Sequence, residues 1–193
     1  MYPKARLDAL SDSIFGVSMT LLVLDVRLPD EFQAASTAGL VYALLGLWSK
    51  ILPYILSFTV LGLRWLANIH LRSHGEVISA AYARWWLAYH LCVTCIPFAT
   101  IVVGRFPDVA AAIWLYAGIT ILMSAVAWRM LTLTPGIERA DHLRDRQVSI
   151  LLLIGSSVLA IAWSFVNPRQ ALWALALNVA GPAIRRQSTR TTE

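Results

Sequence analysis

The chain has 193 residues, of which 58% are hydrophobic and only 14% are charged, and its formal net charge is +5. Soluble domains usually contain about 45–50% apolar and about 25% charged residues, so the composition argues against a soluble domain and indicates an integral membrane protein. The basic residues are spread between apolar segments, which argues against a nucleic-acid-binding patch.

Six segments are apolar over about the 20 residues that a membrane-spanning helix requires. In chain order they are 7–28, 49–70, 77–103, 109–133, 148–166 and the shorter 169–184. The connections are short, so we expect one all-α membrane domain over residues 1–193 with six transmembrane helices. No small-residue cleavage site follows the first apolar segment, so we expect that segment to be retained.

Residues 34–47 are also apolar, but Ser49, Lys50 and Pro53 separate them from the next apolar segment. We interpret this stretch as a short amphipathic helix at the outer membrane interface, leading into the second span. A seventh span at this position is the alternative.

The distribution of Lys and Arg predicts the orientation, because cytoplasmic connections carry an excess of both. With the amino terminus inside, the inner segments hold twelve of these residues: Lys4, Arg6, Arg64, Arg72, Arg84, Arg129, Arg139, Arg144, Arg146, Arg185, Arg186 and Arg190. The outer segments hold four: Arg27, Lys50, Arg105 and Arg169. Both termini are therefore predicted to be cytoplasmic.

The first predicted helix is polar at both ends and has no ionisable residue in its middle. Asp12 lies more than one turn inside the inner end, where an isolated carboxylate costs roughly 2.5–3.5 kcal/mol. Attraction to the positive end of the helix dipole explains an acid in the first turn but explains Asp12 poorly. We therefore expect Asp12 to join a structural polar network with Arg6 and groups from a neighbouring helix.

Four apolar residues recur at i, i+4, i+7 and i+11 spacing on this helix: Val17, Leu21, Leu24 and Leu28. Thr20 lies at the edge of the stripe and follows Gly16 by four residues, a spacing that allows another helix to approach closely. Taken alone, such a stripe usually packs against protein or lipid. A pore would require several copies of the chain around an axis.

His90, Cys92 and Cys95 form an H-x-C-x-x-C sequence in the third span. Cys92 and Cys95 share a helix face, but His90 does not share it well, and a tetrahedral metal site needs three or four converging ligands. We therefore expect these residues to be packed within the helix. No nucleophile–base pair or Gly-rich phosphate loop is recognisable, so we expect no enzymatic activity and no cofactor.

The segment RLDALSD (6–12) resembles the R-x-x-x-F-S-D signature on the first helix of the TMEM175 family, the endosomal and lysosomal potassium channels and their bacterial relatives. The matching residues are Arg6, Ser11 and Asp12, while Leu10 replaces the Phe of the signature. Three further segments resemble the family in the same order: WSKILPYILSFTVLGLRW (48–65), CIPFATIVVG (95–104) and FVNPRQALW (165–173). Four matches in order are more specific than the signature alone.

The resemblance implies a one-repeat chain that forms a homotetramer in a bacterial plasma membrane, with the first helices lining a central pore. It implies an apolar constriction at Val17, Leu21 and Leu24, with Thr20 as a hydroxyl layer that contributes to potassium preference. Because the sequence has no TVGYG carbonyl filter, we expect only modest preference for K⁺ over Na⁺. The partners are then other copies of the chain, the lipid bilayer, K⁺ and other monovalent cations, and no nucleic acid.

The resemblance implies that Trp65 and Asn68 of the second helix meet the first-helix motif and join its polar network. Asn68 departs from the family, which commonly places His three residues after this Trp. We expect Asn68 to hydrogen-bond Asp12 or Ser11 without carrying charge, which puts any pH response based on that His in doubt. Val17 is smaller than the family's usual Ile or Leu, so the narrowest point is either Val17 or Leu21. At the outer mouth, Asp25 is expected to raise the local cation concentration.

Two other classes of function stay open alongside a potassium-permeable channel. A proton- or cation-coupled secondary transporter would use Asp12 as its carrier group and would lose its flux with Asp12→Asn. A membrane scaffold would show no flux at all.

Overall fold

The computed structural model describes residues 2–29, 32–33, 36–70, 77–133, 140–171 and 173–174. Within these residues the chain is nearly all helical, and five helices are long and apolar enough to cross a membrane. The helices in chain order are α1 (Lys4–Leu21), α2 (Thr37–Gly46), α3 (Trp48–His70), α4 (Ala80–Arg105), α5 (Ala110–Thr132) and α6 (Ala140–Ser164). A 3-10 helix (Leu22–Asp25) continues α1 at its carboxyl-terminal end.

Five of the six predicted spans lie on α1, α3, α4, α5 and α6, with ends that differ by a few residues. The third was expected to begin at residue 77, where the structure has a two-residue strand instead. That strand, β2 (Val77–Ile78), pairs antiparallel with β1 (Tyr2–Pro3) and so ties the start of α1 to the start of α4.

The predicted sixth span lies mostly outside the described residues. Helical backbone is present at residues 168–171 and 173–174, and Ala171 is fully buried. Five of the counted inner basic residues also fall outside the described residues: Arg72, Arg139, Arg185, Arg186 and Arg190.

Helix α2 lies where the short outer helix was expected, and the hydroxyl of Ser36 caps its first turn by accepting from the Gly39 N–H. Its sequence, TAGLVYALLG, is apolar on all sides, and none of its residues is buried. The expected amphipathic pattern is therefore wrong, because α2 has no charged or strongly polar face.

The centre of the bundle is formed by α4 and α5, with α3 packed against α4 and α6 packed against α5. A chain of buried hydroxyls joins three of these helices: Thr100 donates to Ser57 over 2.7 Å, and Ser57 donates to Tyr116 over 3.1 Å. Interhelical hydrogen bonds of this kind help hold membrane helices together, since lipid offers no alternative partners.

Arg64 was counted among the basic residues of the inner connections, but the structure buries it within the bundle. Its guanidinium donates a hydrogen bond of 2.9 Å to the hydroxyl of Ser124 on α5. Arg64 lies more than one turn before the end of α3, inside the span that was itself predicted to reach residue 70, and its side chain reaches α5 rather than the connection that follows.

Helix α1 packs against α3 and α4 through a single face. Its buried residues recur at helical spacing: Ser11, Phe15 and Ser18, followed by Leu22 in the 3-10 helix. In the most apolar 18-residue stretch of α1 and its 3-10 extension, only 22% of the residues are buried. In the most apolar 18-residue stretch of α4, 56% of the residues are buried. The residues that the structure describes therefore leave the opposite face of α1 uncovered.

Candidate permeation site on the first helix

The uncovered face of α1 and its 3-10 extension carries the three residues predicted to form an apolar constriction. Val17 is 58% exposed, Leu21 is 43% exposed and Leu24 is 63% exposed. Gly16 lies on the same face, and a methyl group added there would meet no atom within 4 Å. No described segment of this chain packs closely on the face.

Two hydroxyl groups interrupt this apolar face, and both donate to their own helix. Ser13 donates to the Ala9 carbonyl over 3.0 Å, and Thr20 lies 2.8 Å from the Val17 carbonyl and 3.0 Å from that of Gly16. Because each proton is directed at the backbone, the lone pairs of the hydroxyl oxygen remain available on an exposed side chain. The face can therefore accept hydrogen bonds from water or contact a cation.

The motif at the inner end of α1 is linked to α3 by Trp65, whose indole N–H donates to the Asp12 carboxylate over 2.8 Å. Asn68 does not follow the expectation: its amide oxygen accepts from Arg146 of α6 over 3.3 Å. The side chain of Arg6 is exposed. The structure thus joins Trp65 to the motif, whereas Asn68 joins α3 to α6.

The partner of Ser11 is a residue that the sequence interpretation treated only as packing. Nε2 of His90 lies 2.8 Å from the Ser11 hydroxyl, and its Nδ1 lies 2.8 Å from the carbonyl oxygen of Trp86. Both Ser11 and His90 are buried. The sequence does show that His90 lies within an apolar span, where a buried imidazole needs a polar partner. It does not show which residue that partner is.

At the end of the 3-10 helix, the structure corrects the expectation that Asp25 is an open charge at an outer mouth. The side chain is only 7% exposed, and its carboxylate accepts hydrogen bonds of 3.2 and 3.1 Å from Nε and Nη2 of Arg105. The 3-10 helix and α4 end beside each other there, and a buried carboxylate needs a cationic partner. Asp25 is therefore an ion-paired packing residue rather than an open charge at a mouth.

The H-x-C-x-x-C sequence does not assemble a metal site. Cys92 is buried and Cys95 is half-buried, and both are free thiols. Among the described residues, no group of three or more His, Cys, Asp or Glu side chains converges to hold a metal ion.

Comparison with known proteins gives this arrangement a context. The family model for the endosomal/lysosomal potassium channel TMEM175 matches residues 6–97, which include α1, α3 and most of α4. The crystal structure of a lysosomal potassium-selective channel TMEM175 homolog from Chamaesiphon minutus matches with a TM-score of 0.80 and 25% identity, covering 94% of this chain and 96% of that chain. The chain is therefore similar to the TMEM175 family in sequence over residues 6–97 and in fold over nearly its whole length.

Two bacterial relatives show the same similarity. A potassium channel of Chamaesiphon minutus is 30% identical over 128 residues, which are 65% of this chain and 63% of the relative. A potassium channel of a Chryseobacterium species is 27% identical over 180 residues, covering 88% of this chain and 86% of the relative. Together with the five apolar helices, these matches identify a multi-pass membrane protein.

Proposed function

We propose that the chain is a subunit of a potassium-permeable channel whose pore is lined by the exposed face of α1 from several copies. The observation that carries this proposal is the face itself, because a helix in the family's signature position leaves Val17, Leu21 and Leu24 uncovered within the chain. The names of its relatives as potassium channels support the same proposal.

The proposed assembly is a homotetramer in a bacterial plasma membrane, with both termini cytoplasmic. In such an assembly, four copies of Val17, Leu21 and Leu24 close on one axis and form an apolar constriction that gates by losing its water. The one-sided packing of α1 supports this arrangement, since Phe15 and Ser18 hold one face to the bundle while the described residues leave the other face uncovered.

The hydroxyl layer of this pore is Thr20. Its proton is directed to the backbone carbonyls of Gly16 and Val17, so its oxygen can replace part of the hydration shell of a passing K⁺. One hydroxyl per subunit offers far fewer oxygens than a carbonyl filter, so the proposed preference for K⁺ over Na⁺ is modest.

The test is a planar-bilayer recording of the purified protein with K⁺ on one side and Na⁺ on the other. Discrete unitary currents whose reversal potential shifts toward the K⁺ equilibrium potential are the expected result. Folded, oligomeric protein that gives no current would contradict the proposal.

The same preparation separates a channel from a transporter that uses Asp12 as its carrier group. Asp12→Asn retains an oxygen that can accept from the Trp65 indole, so a channel should keep its unitary currents. A saturable flux without unitary events that disappears in Asp12→Asn would instead support proton- or cation-coupled transport.

A further inference from the structure

The inner end of α1 is held by a contact that is separate from the hydrogen bond between Trp65 and Asp12. Ser11 is 4% exposed and lies 2.8 Å from His90, which is 3% exposed and belongs to the central helix α4. Ser11 and Val17 are on the same continuous helix. The direction in which Ser11 is held therefore sets the direction in which Val17 and Leu21 face.

The hydrogen bonds of His90 have a defined direction. The carbonyl oxygen of Trp86 can only accept, so Nδ1 of His90 carries the proton that this 2.8 Å contact requires. In the neutral imidazole, Nε2 is then an acceptor, and the hydroxyl of Ser11 donates to it. The contact thus requires one tautomer of one buried ring.

The ring of His90 is itself held in place by aromatic neighbours. Its centroid lies 3.9 Å from that of Trp86, and it meets Tyr89 edge to face at 5.3 Å. It also meets Phe15 edge to face at 5.8 Å, so His90 contacts α1 at two positions one turn apart. A contact at two successive turns opposes rotation of the helix as well as its separation from the bundle.

We propose that His90 is a positioning residue for permeation. As the acceptor for Ser11, it fixes the rotation of α1 and thereby the direction in which the constriction residues Val17 and Leu21 face. This inference rests on the proposed channel function, because it concerns the same exposed face. His90 touches no permeating ion and acts only through α1.

The first test compares two substitutions of His90 by single-channel recording. His90→Phe keeps a ring against Trp86 but removes the acceptor, whereas His90→Gln keeps an oxygen that can reach Ser11. We expect the unitary conductance or open probability of H90F to change by about threefold or more, as loss of one buried hydrogen bond implies. We expect H90Q to stay close to the wild type.

Ser11→Ala supplies the second half of a double-mutant cycle. If Ser11 and His90 act through one contact, S11A changes the recordings as H90F does, and the double variant changes them no further. Thr120→Val is the control, since it removes a buried hydroxyl of α5 that donates to its own helix at Tyr116, and it should leave the currents unchanged. Unitary conductance is measured on assembled channels. A variant that only folds less well therefore lowers the number of channels and leaves the unitary conductance unchanged.

Nitrogen-15 NMR of histidine-labelled protein tests the contact without any current. The His90 resonances are identified by their absence in H90Q, and we expect the neutral Nδ1–H tautomer, with an Nε2 resonance that moves in S11A. An Nε2–H tautomer, or wild-type conductance and open probability in both S11A and H90F, would overturn the positioning role alone. A wild-type protein without currents would overturn the proposed function, and the positioning role with it.

Discussion

Helix α1 and helix α4 are both long, apolar and able to span a membrane, but they differ in what surrounds them. α4 contacts α1, α3 and α5, and its buried residues include Val93, Ile96 and Ala99. α1 is buried along one face only and exposes Val17, Leu21 and Leu24 on the other. A helix that is peripheral in a single chain yet carries the family signature is expected to find its remaining contacts in an assembly.

The faces that the two helices expose also differ in chemistry. α4 presents the bulky side chains of Leu87, Leu91 and Phe98, which suit contact with lipid. The exposed face of α1 intersperses Leu and Val with Ser13, Gly16 and Thr20. Small and hydroxyl-bearing residues in such a position favour an axis shared between subunits over lipid.

The largest effect is expected from Leu21→Asn. A polar side chain at the proposed constriction should keep it wet, and a fall of about 1.4 kcal/mol in the barrier is enough for a tenfold rise in rate. We expect unitary conductance to increase by about that factor and the reversal-potential shift to weaken. Leu91→Asn, the same change on the exposed face of α4, is the control and should conduct like the wild type. Equal effects at both positions would contradict the view that the exposed face of α1 lines a pore and that of α4 contacts lipid.

The next effect is expected where α1 ends against α4. Arg105→Met leaves the buried Asp25 carboxylate without its cation, and we expect a loss of about 2 kcal/mol in the free energy of unfolding, reduced from the fully buried case because Arg105 is 52% exposed. Asp25→Asn should cost less, because the freed Arg105 can reach water. Unfolding titrations in mixed micelles measure both variants, and a larger loss for D25N would contradict this order.

A smaller effect is expected at the centre of the bundle. Ser57→Ala removes the hydroxyl that accepts from Thr100 and donates to Tyr116, so it should lower the free energy of unfolding by about 1–2 kcal/mol. Thr59→Ala on the same helix is the control, since the Thr59 hydroxyl donates to its own helix at Ile55. Unitary conductance should be unchanged in both, because neither residue lies on α1; a conductance change in S57A would show that the centre also shapes permeation.

The smallest effect is expected at an exposed ion pair, that of Arg169 with Asp108. These side chains are 69% and 62% exposed, so Asp108→Asn should change the free energy of unfolding by less than about 0.5 kcal/mol. The same unfolding titration measures it beside R105M. A loss as large as that of R105M would mean that burial does not distinguish the two ion pairs.

Much of the fold was predictable because membrane spans are long and their apolar runs are unambiguous. The stripe of Val17, Leu21 and Leu24 was also readable from helical spacing, and its exposure agrees with a face directed away from its own bundle. Residues 34–47 were recognised as apolar, but the amphipathic pattern expected of them is absent from α2, which has no charged or strongly polar face.

The contacts that orient α1 were not predictable, because they join residues far apart in the chain. Ser11 and His90 are separated by 79 residues, and Asp25 and Arg105 by 80. Spacing rules along one helix contain no information about which residue of another helix lies opposite. Trp65 was the exception, because the family resemblance already implied that the second helix meets the motif on the first.

The proposal that copies of α1 line a common pore is tested most directly by the access of a cationic thiol reagent to position 21. Leu21→Cys and Leu91→Cys are compared in a background that lacks Cys92 and Cys95, with the reagent added while unitary currents are recorded. Pore lining by α1 predicts progressive block of L21C by a positive charge placed at the constriction, and unchanged current in L91C. Current that persists in L21C after complete modification would contradict it.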